Sequence, residues 1–131
     1  MENRVCLDTN ILVDILRSNK DTVNLIKNIE ESNILATTYI NLFELYYGAA
    51  LSENRKLNFM EVEKLISTLD LLNLSEQSTK LAGTILVTLK NKGQTVDFRD
   101  LLIASIAIAN NFMLLTKNKK HFENIPGLKL Y

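Results

Sequence analysis

The sequence predicts an α/β protein in which helices cover both faces of a central, mainly parallel sheet of about five short strands. Three observations support this α/β/α three-layer sandwich. Segments of strand length are continuously apolar rather than alternating, as is typical of strands buried on both faces. Segments with a helical spacing of apolar residues separate these strands. Strands connected in this way pair in parallel through right-handed crossovers, so their carboxyl ends lie at one edge of the sheet.

Two strands and three helices are predicted in the first part of the chain. Thr37 and Thr38 supply helix-cap chemistry between the second strand and a long, mostly apolar helix. In order, the predicted elements are a strand over 4–7, a helix from about residue 10, a helix over about 21–31, a strand over 34–36 and a helix to about residue 50.

The rest of the chain alternates between helices and strands in the same way. Ser75 is a favourable helix N-cap, Gly93 ends the helix that follows, and Pro126 with Gly127 marks a turn. The predicted elements are a helix over about 58–68, a strand over 69–74, helices over 76–91 and 98–111, a strand over 112–116 and a fifth strand over 128–130.

The composition is that of an ordinary globular domain. The chain has 131 residues, of which 47% are hydrophobic and 23% charged, and it has no internal repeat, which predicts a single domain over 1–131. No apolar run reaches the ~18 residues needed to cross a bilayer, and the N-terminus lacks a signal-peptide pattern. The single cysteine, Cys6, is interpreted as a small buried hydrophobe. We therefore expect a cytoplasmic protein without membrane contact.

Two carboxylates lie where a structural role explains them only in part. Asp8 directly follows the first strand, so it emerges at the strand's carboxyl end; capping the next helix is its alternative role. Glu44 lies too far beyond Thr38 to cap its helix or interact with the helix dipole. Asn41, Glu44 and Gly48 form the polar arc of this apolar helix, which faces either solvent or a polar cleft. A carboxylate in a cleft requires a cation or hydrogen-bond donors.

Two further acids open the helix over 98–111. Their spacing is related to a capping box, with Asp97 at the cap and Asp100 at the third helical position. Capping is the favoured interpretation of Asp97. Asp100 shares a side of the helix with apolar residues and can face the sheet edge, which favours a functional role.

A polar segment follows the strand over 112–116. Thr116 and Asn118 are either ordinary turn residues or neutral oxygen donors that position a metal-bound water. The lysines of this segment are either a solvated face or contacts for substrate phosphates; they are Lys117, Lys119 and Lys120. The formal net charge of zero argues against strong non-specific binding of nucleic acid by the whole surface.

The acids and the polar segment lie in phrases that match a known family. These phrases are Leu-Asp-Thr-Asn-Ile-Leu at 7–12, Asn-Leu-Phe-Glu-Leu-Tyr-Tyr-Gly at 41–48, Asp-Leu-Leu-Ile-Ala at 100–104, Leu-Thr-Lys-Asn-Lys-Lys-His-Phe at 115–122 and Ile-Pro-Gly-Leu at 125–128. In order and spacing they resemble the PIN domain, most closely the VapC-type toxin endoribonucleases of type II toxin–antitoxin systems. The resemblance spans essentially the whole chain.

The resemblance implies a PIN-like α/β/α fold and endoribonuclease activity that depends on Mg²⁺ or Mn²⁺. It also implies a homodimer and a cognate antitoxin whose tail blocks the acidic site. The acidic positions of the family correspond to Asp8, Glu44 and Asp100. The fourth position is often Asp, whereas this chain has Asn118 there or uses Asp97 in support. This departure leaves open whether a second metal binds without RNA.

The expected mechanism is hydrolysis of RNA by a metal-activated water. Asp8 and Asp100 are expected to bind the metal directly, and Glu44 directly or through water. The expected supporting residues are Thr9, Asn10, Asp97, Thr116 and Asn118. His121, the only histidine, is interpreted as a surface or phosphate-contacting residue rather than a general base. The alternatives are a housekeeping RNA-processing nuclease of the same fold and a catalytically silent binding module whose acids cap helices.

Overall fold

The computed structural model describes residues 3–131, and this range contains four strands and seven helices. The elements are β1 (Asn3–Leu7), α1 (Thr9–Leu16), α2 (Lys20–Glu30), β2 (Asn33–Thr38), α3 (Tyr39–Leu51), α4 (Arg55–Ile66), β3 (Asp70–Leu72), α5 (Glu76–Asn91), α6 (Phe98–Ala109), β4 (Met113–Leu115) and α7 (Lys119–Phe122).

All four strands run parallel, in the order β3-β2-β1-β4. In β1, Cys6 is paired with Ala36 of β2 on one side and with Leu114 of β4 on the other. The first strand therefore lies inside the sheet, and the carboxyl ends of its two neighbours flank its own. The predicted α/β/α sandwich with a parallel sheet is confirmed.

The sheet is one strand smaller than the sequence predicted. Leu130 forms only an isolated parallel bridge with Leu114, where a fifth strand was expected over 128–130. The reason is local: the amide of Leu128 is bonded to the carbonyl oxygen of Ile125 in a turn, and Gly127 has a φ of +85°. Within residues 3–131, the chain after this turn meets β4 at Leu130 alone, where Lys129 and Tyr131 form backbone hydrogen bonds with Leu114.

Separate apolar cores cover the two faces of the sheet. Cys6 packs into the core that α5 and α6 form, whereas its neighbours Val5 and Leu7 pack into the core formed with helices α1 to α4. Successive side chains of a strand point to opposite faces, and both faces are covered here. The uninterrupted apolar run of β1 follows from this arrangement.

Side-chain caps determine where several helices begin and end. Thr38 caps α3 and Ser75 caps α5, each in a capping box. Gly93, with a φ of +69°, follows the C-terminus of α5, whose bounds agree with the prediction. The next helix ends at Ala109 rather than 111 because Asn111 has a φ of +60° and turns the chain into β4.

The sequence also led to expectations about the single cysteine and about membrane-spanning helices. Cys6 is fully buried, and burial raises the pKa of its thiol, an effect that the charge of Asp8 reinforces. It is a core side chain, as predicted. Among residues 3–131, none of the helices combines the length and the apolar character that crossing a bilayer requires.

Candidate active site

Asp8 lies at the carboxyl end of β1 and is only 7% exposed. It is the N-cap of α1, where its Oδ1 accepts a hydrogen bond from the amide of Thr9 at 2.8 Å. The same oxygen accepts from Asn41 Nδ2 at 3.1 Å, and Oδ2 accepts from Thr116 Oγ1 at 2.7 Å. Asp8 is therefore both a helix cap and the centre of a polar network that joins three segments of the chain.

Glu44 enters the same network from the middle of α3. Its Oε1 accepts a hydrogen bond from Thr9 Oγ1 at 2.7 Å, and its Oε2 lies 3.5 Å from Nη1 of Arg99. One turn earlier on α3, Asn41 is fully buried and donates to Thr9 Oγ1 at 2.9 Å. Of the two orientations considered for the polar arc of this helix, Asn41 and Glu44 adopt the one that lines a polar site.

Asp100 reaches the site from the first turn of α6. Asp97 caps that helix, as predicted, by accepting hydrogen bonds from the amides of Arg99 and Asp100 at 2.9 and 3.3 Å. The carboxyl of Asp100 is 19% exposed and lies 3.5 Å from Nδ1 of His121.

The environment of Asp100 opposes the ionisation of its carboxyl. Burial, which has the largest effect, and the charges of Asp97, Asp8 and Glu44 together raise the pKa of Asp100 to about 6, against the opposing effect of His121. Three other carboxylates thus lie close enough to Asp100 to repel its charge.

Thr116 is the side chain of the β4–α7 segment that enters the site. It is buried, donates to Asp8, and accepts hydrogen bonds from Asn10 Nδ2 at 3.4 Å and from the amide of Asn118 at 3.0 Å. Asn10 Oδ1 also accepts from the amide of Lys117 at 3.2 Å. Thr9, Asn10 and Thr116 therefore surround Asp8, in positions that suit the supporting role expected for them.

The side chain of Asn118 lies apart from this network. It is exposed at the N-cap of α7 and forms no capping hydrogen bond there; only its backbone amide contributes, by donating to Thr116. Asp97, the other residue considered for the fourth position, reaches the site through the amides that it caps and through its charge on Asp100.

The three lysines predicted to contact phosphate have different surroundings. Lys117 Nζ lies 3.0 Å from Asp14 Oδ2, an oxygen that also accepts from Thr22 Oγ1 at 2.8 Å. The hydrogen bond from Thr22, followed by that from Lys117, lowers the pKa of Asp14. Lys119 and Lys120 are exposed on α7, and Lys120 lines a cavity of about 280 Å³ together with both acids of the α6 N-terminus and His121.

Three side chains have contacts in the site that sequence reasoning missed. Asn41 was noted on the polar arc, but its hydrogen bonds to Asp8 and Thr9 were not foreseen. Arg99 was passed over, although it directly precedes Asp100. His121 is 61% exposed, as a surface residue would be, yet it pairs with Asp100. For Asn41 the sequence did offer a signal, because an amide side chain three residues after the Thr38 cap can close a capping box. The contacts of Arg99 with Glu44 and of His121 with Asp100 depend on how the helices pack.

The chemistry of the acids fits a hard divalent cation that keeps much of its own water. Carboxylate oxygens are the ligands that Mg²⁺ and Mn²⁺ prefer, and a cation would relieve the repulsion around Asp100. Within residues 3–131, however, no three histidine, cysteine or acidic side chains form a ready-made ligand group. The site therefore suits a weakly held ion with one or two protein carboxylates and water or phosphate as the remaining ligands.

Comparisons with known proteins agree on one family. The PIN domain family model matches residues 5–128. Over 95% of this chain and 93% of each relative, the sequence is 36% identical to Ribonuclease VapC2 of Rickettsia felis and 32% identical to the tRNA(fMet)-specific endonuclease VapC of Salmonella typhimurium. The fold is similar to the crystal structure of VapBC2 from Rickettsia felis bound to a promoter DNA fragment, with a TM-score of 0.91, 33% identity, and 98% and 97% of the two chains covered.

Proposed function

The chain belongs to the PIN domain family, and from this premise we propose that it is an endoribonuclease that hydrolyses phosphodiester bonds of RNA. The observation that carries the proposal is the convergence of three acids at the carboxyl edge of the sheet: Asp8 and Glu44 share one hydrogen-bonded network, and Asp100 lies close enough for both of their charges to raise its pKa. Two relatives over nearly the whole chain support the same conclusion: one, at 36% identity, is named a ribonuclease, and the other, at 32%, a tRNA(fMet)-specific endonuclease.

The proposed cofactor is Mg²⁺ or Mn²⁺, held by Asp8 and Asp100, with Glu44 contributing directly or through water. When bound, such an ion lowers the pKa of a coordinated water and neutralises charge on the phosphate that is attacked. Thr116 and Asn41 orient the Asp8 carboxylate through hydrogen bonds of 2.7 and 3.1 Å. Thr9 does the same for Glu44.

The remaining predicted residues have roles around this centre. Asn10 holds Thr116 and the amide of Lys117, so it positions the segment after β4. Asn118 is exposed in that segment and is proposed to contact RNA directly or through a water molecule. Lys119 and Lys120, exposed on α7, are proposed to contact substrate phosphates.

We place this activity in the toxin of a toxin–antitoxin pair. Solved structures similar to this chain include DNA-bound VapBC of Salmonella typhimurium, with a TM-score of 0.89 and 30% identity, and VapBC-1 of Haemophilus influenzae, with 0.87 and 29%. The proposed partners are a cognate antitoxin protein and a second copy of this chain in a homodimer, and the proposed compartment is the cytoplasm. Expression without the antitoxin is expected to arrest growth, and co-expression of an adjacent antitoxin gene to relieve it.

The nuclease proposal is tested by incubating the purified chain with total cellular RNA and Mg²⁺ or Mn²⁺ and mapping the cut ends by sequencing. Asp8→Asn keeps the shape of the side chain but removes its charge, so cleavage should fall by at least ~100-fold. Asp21→Asn, which removes an exposed carboxylate from α2, is the matched control and should cleave normally. Full activity of Asp8→Asn would assign the cleavage to another site.

A further inference from the structure

Glu44 presents its two carboxylate oxygens to two different partners. Its Oε1 is tied to the interior of the site, because it accepts from Thr9 Oγ1 and Asn41 in turn donates to the same hydroxyl. Its Oε2 faces Nη1 of Arg99 at 3.5 Å. One oxygen of Glu44 is therefore built into the fold, whereas the other is neutralised by a cation from the first turn of α6.

Arg99 is loosely held in this position. Its side chain is 53% exposed, and its distances to Glu44 and Asp97, 3.5 and 3.8 Å, are longer than the roughly 2.7–2.9 Å of strong charge-assisted hydrogen bonds. Exposed ion pairs of this kind contribute little to stability. The guanidinium therefore loses little when it leaves Glu44 for another anion.

Arg99 is also well placed to meet a phosphate that enters the site. Within the described range 3–131, it is the only lysine or arginine that pairs with Asp8, Glu44 or Asp100, and Lys117 is engaged by Asp14 instead. A planar guanidinium donates two parallel N–H bonds to a phosphate, a geometry that an ammonium group lacks.

We propose that Arg99 is a substrate-binding residue that exchanges Glu44 for a phosphate oxygen of the RNA backbone. This inference rests on the proposed nuclease function and deepens it. Without RNA, the guanidinium places a positive charge beside Glu44 and opposes the binding of a divalent cation. With RNA, Arg99 donates to the phosphate, and Glu44 is free to support the cation. RNA and the cation therefore bind cooperatively, and the coupling runs through Arg99.

The first test measures Mn²⁺ binding by calorimetry on the full chain, after treatment with a chelator and without RNA. Arg99→Ala removes the competing charge and should bind Mn²⁺ about threefold more tightly than the wild type, as expected for one unit charge screened largely by water. Lys64→Ala is the matched control, because it removes one exposed cation of α4 that pairs with none of the site acids. Its affinity for Mn²⁺ should equal that of the wild type.

The second test measures binding of a fluorescent single-stranded RNA by anisotropy, without metal so that no cleavage occurs. Arg99→Ala should weaken binding and lower the slope of log K against log salt by about 0.7, the value for one lost phosphate contact on a single strand. Arg99→Lys should keep the slope but bind more weakly than the wild type, because an ammonium lacks the planar fork. Lys64→Ala should change neither quantity.

The outcomes separate this inference from the nuclease proposal. If the wild type binds Mn²⁺ and cleaves RNA, but Arg99→Ala leaves both the Mn²⁺ affinity and the RNA salt slope unchanged, only the exchange by Arg99 is overturned. Weaker Mn²⁺ binding by Arg99→Ala would also overturn it, since Arg99 would then support the cation. A wild type that cleaves no RNA in the presence of Mn²⁺ overturns the nuclease proposal and this inference with it.

Discussion

Asp8 is a helix cap and, in the function proposed above, also a metal ligand. Its Oδ1 caps α1 and accepts from Asn41, and its Oδ2 accepts from Thr116. The carbonyl oxygen of an asparagine at this position can still cap the helix. The Asp8→Asn variant therefore separates the loss of charge from the loss of the cap, which an alanine variant would not.

Ionisation of Asp100 lowers the stability of the folded state, because the surroundings of its carboxyl disfavour the charged form. Burial and, to a smaller extent, the neighbouring carboxylates raise its pKa to about 6. The folded state thus binds the proton more tightly than the unfolded chain, whose aspartates titrate near 3.9. The stability associated with the neutral carboxyl is fully present below that value, and it is lost as the pH rises through about 6.

We predict that Asp100→Asn stabilises the metal-free protein at pH 7.5. The amide carries no charge to desolvate, so the gain should be about 1 kcal/mol after allowance for solvent screening, or a rise in Tm of roughly 3 °C. Thermal melts at pH 7.5 and pH 4 check this, because the difference between variant and wild type should be much smaller at pH 4, close to the pKa of an unfolded aspartate. A variant less stable than the wild type at pH 7.5 would contradict it.

At the scale of elements, two helices begin with the same motif but differ in what the motif touches. In α3, Asn41 closes the capping box of Thr38 and also donates to Asp8 and Thr9. In α5, Ser78 closes the box of Ser75 and its side chain bonds only to that residue. Both capping boxes start a helix, but only the capping box of α3 also contributes hydrogen bonds to the site.

We predict that Asn41→Ala destabilises the protein by about 2–4 kcal/mol, because it opens the capping box and leaves buried acceptors near Asp8 without a donor. Ser78→Ala opens the equivalent box of α5 and should cost only about 1 kcal/mol. Denaturant unfolding of both variants measures the difference. RNA cleavage should fall in Asn41→Ala alone; equal costs and equal cleavage in the two variants would show that Asn41 acts only as a cap.

At the scale of the whole molecule, the site joins the two layers that cover the sheet. Asp8 and Glu44 belong to the layer of α1 and α3, whereas Asp100 belongs to α6 on the opposite face. A cation held between them would bind the folded chain and not the unfolded one.

We predict that Mn²⁺ raises the melting temperature of the wild type, by an amount that grows with the logarithm of its concentration. At a concentration 100 times Kd the stabilisation should be about 2.7 kcal/mol. Differential scanning calorimetry with and without Mn²⁺ measures it, and Asp8→Asn should show a much smaller rise. An identical rise in Asp8→Asn would mean that the ion binds elsewhere.

Much of the fold was predictable because its signals are local. The helix over 76–91 was predicted with its observed bounds, since Ser75 caps it and Gly93 follows it with a positive φ. The apolar runs around Cys6 and Ala36 indicated strands buried on both faces. The prediction of a fifth strand was wrong. The apolar residues after Gly127 indicate that the segment can be buried, but not how many of its residues pair with β4.

The site was less predictable because its contacts depend on how helices lie against one another. The polar arc on α3 identified Glu44 as unusual, but not its two partners. The contact of Arg99 with Glu44 requires the packing of α6 beside α3, which no local pattern encodes. The ion pair between Lys117 and Asp14 could not be predicted from the sequence for the same reason.

The hydrogen bond between Thr116 and Asp8 joins positions that are 108 residues apart in the chain. During translation, Asp8 is therefore made long before its partner, and β4 joins the sheet only after the three strands that precede it in the chain. A polypeptide that has been synthesised only as far as α6 carries Asp8, Glu44 and Asp100, but it lacks Thr116, whose hydroxyl donates to Asp8 in the folded chain. The order of synthesis thus places the three acids of the site on the polypeptide before the hydroxyl that orients Asp8.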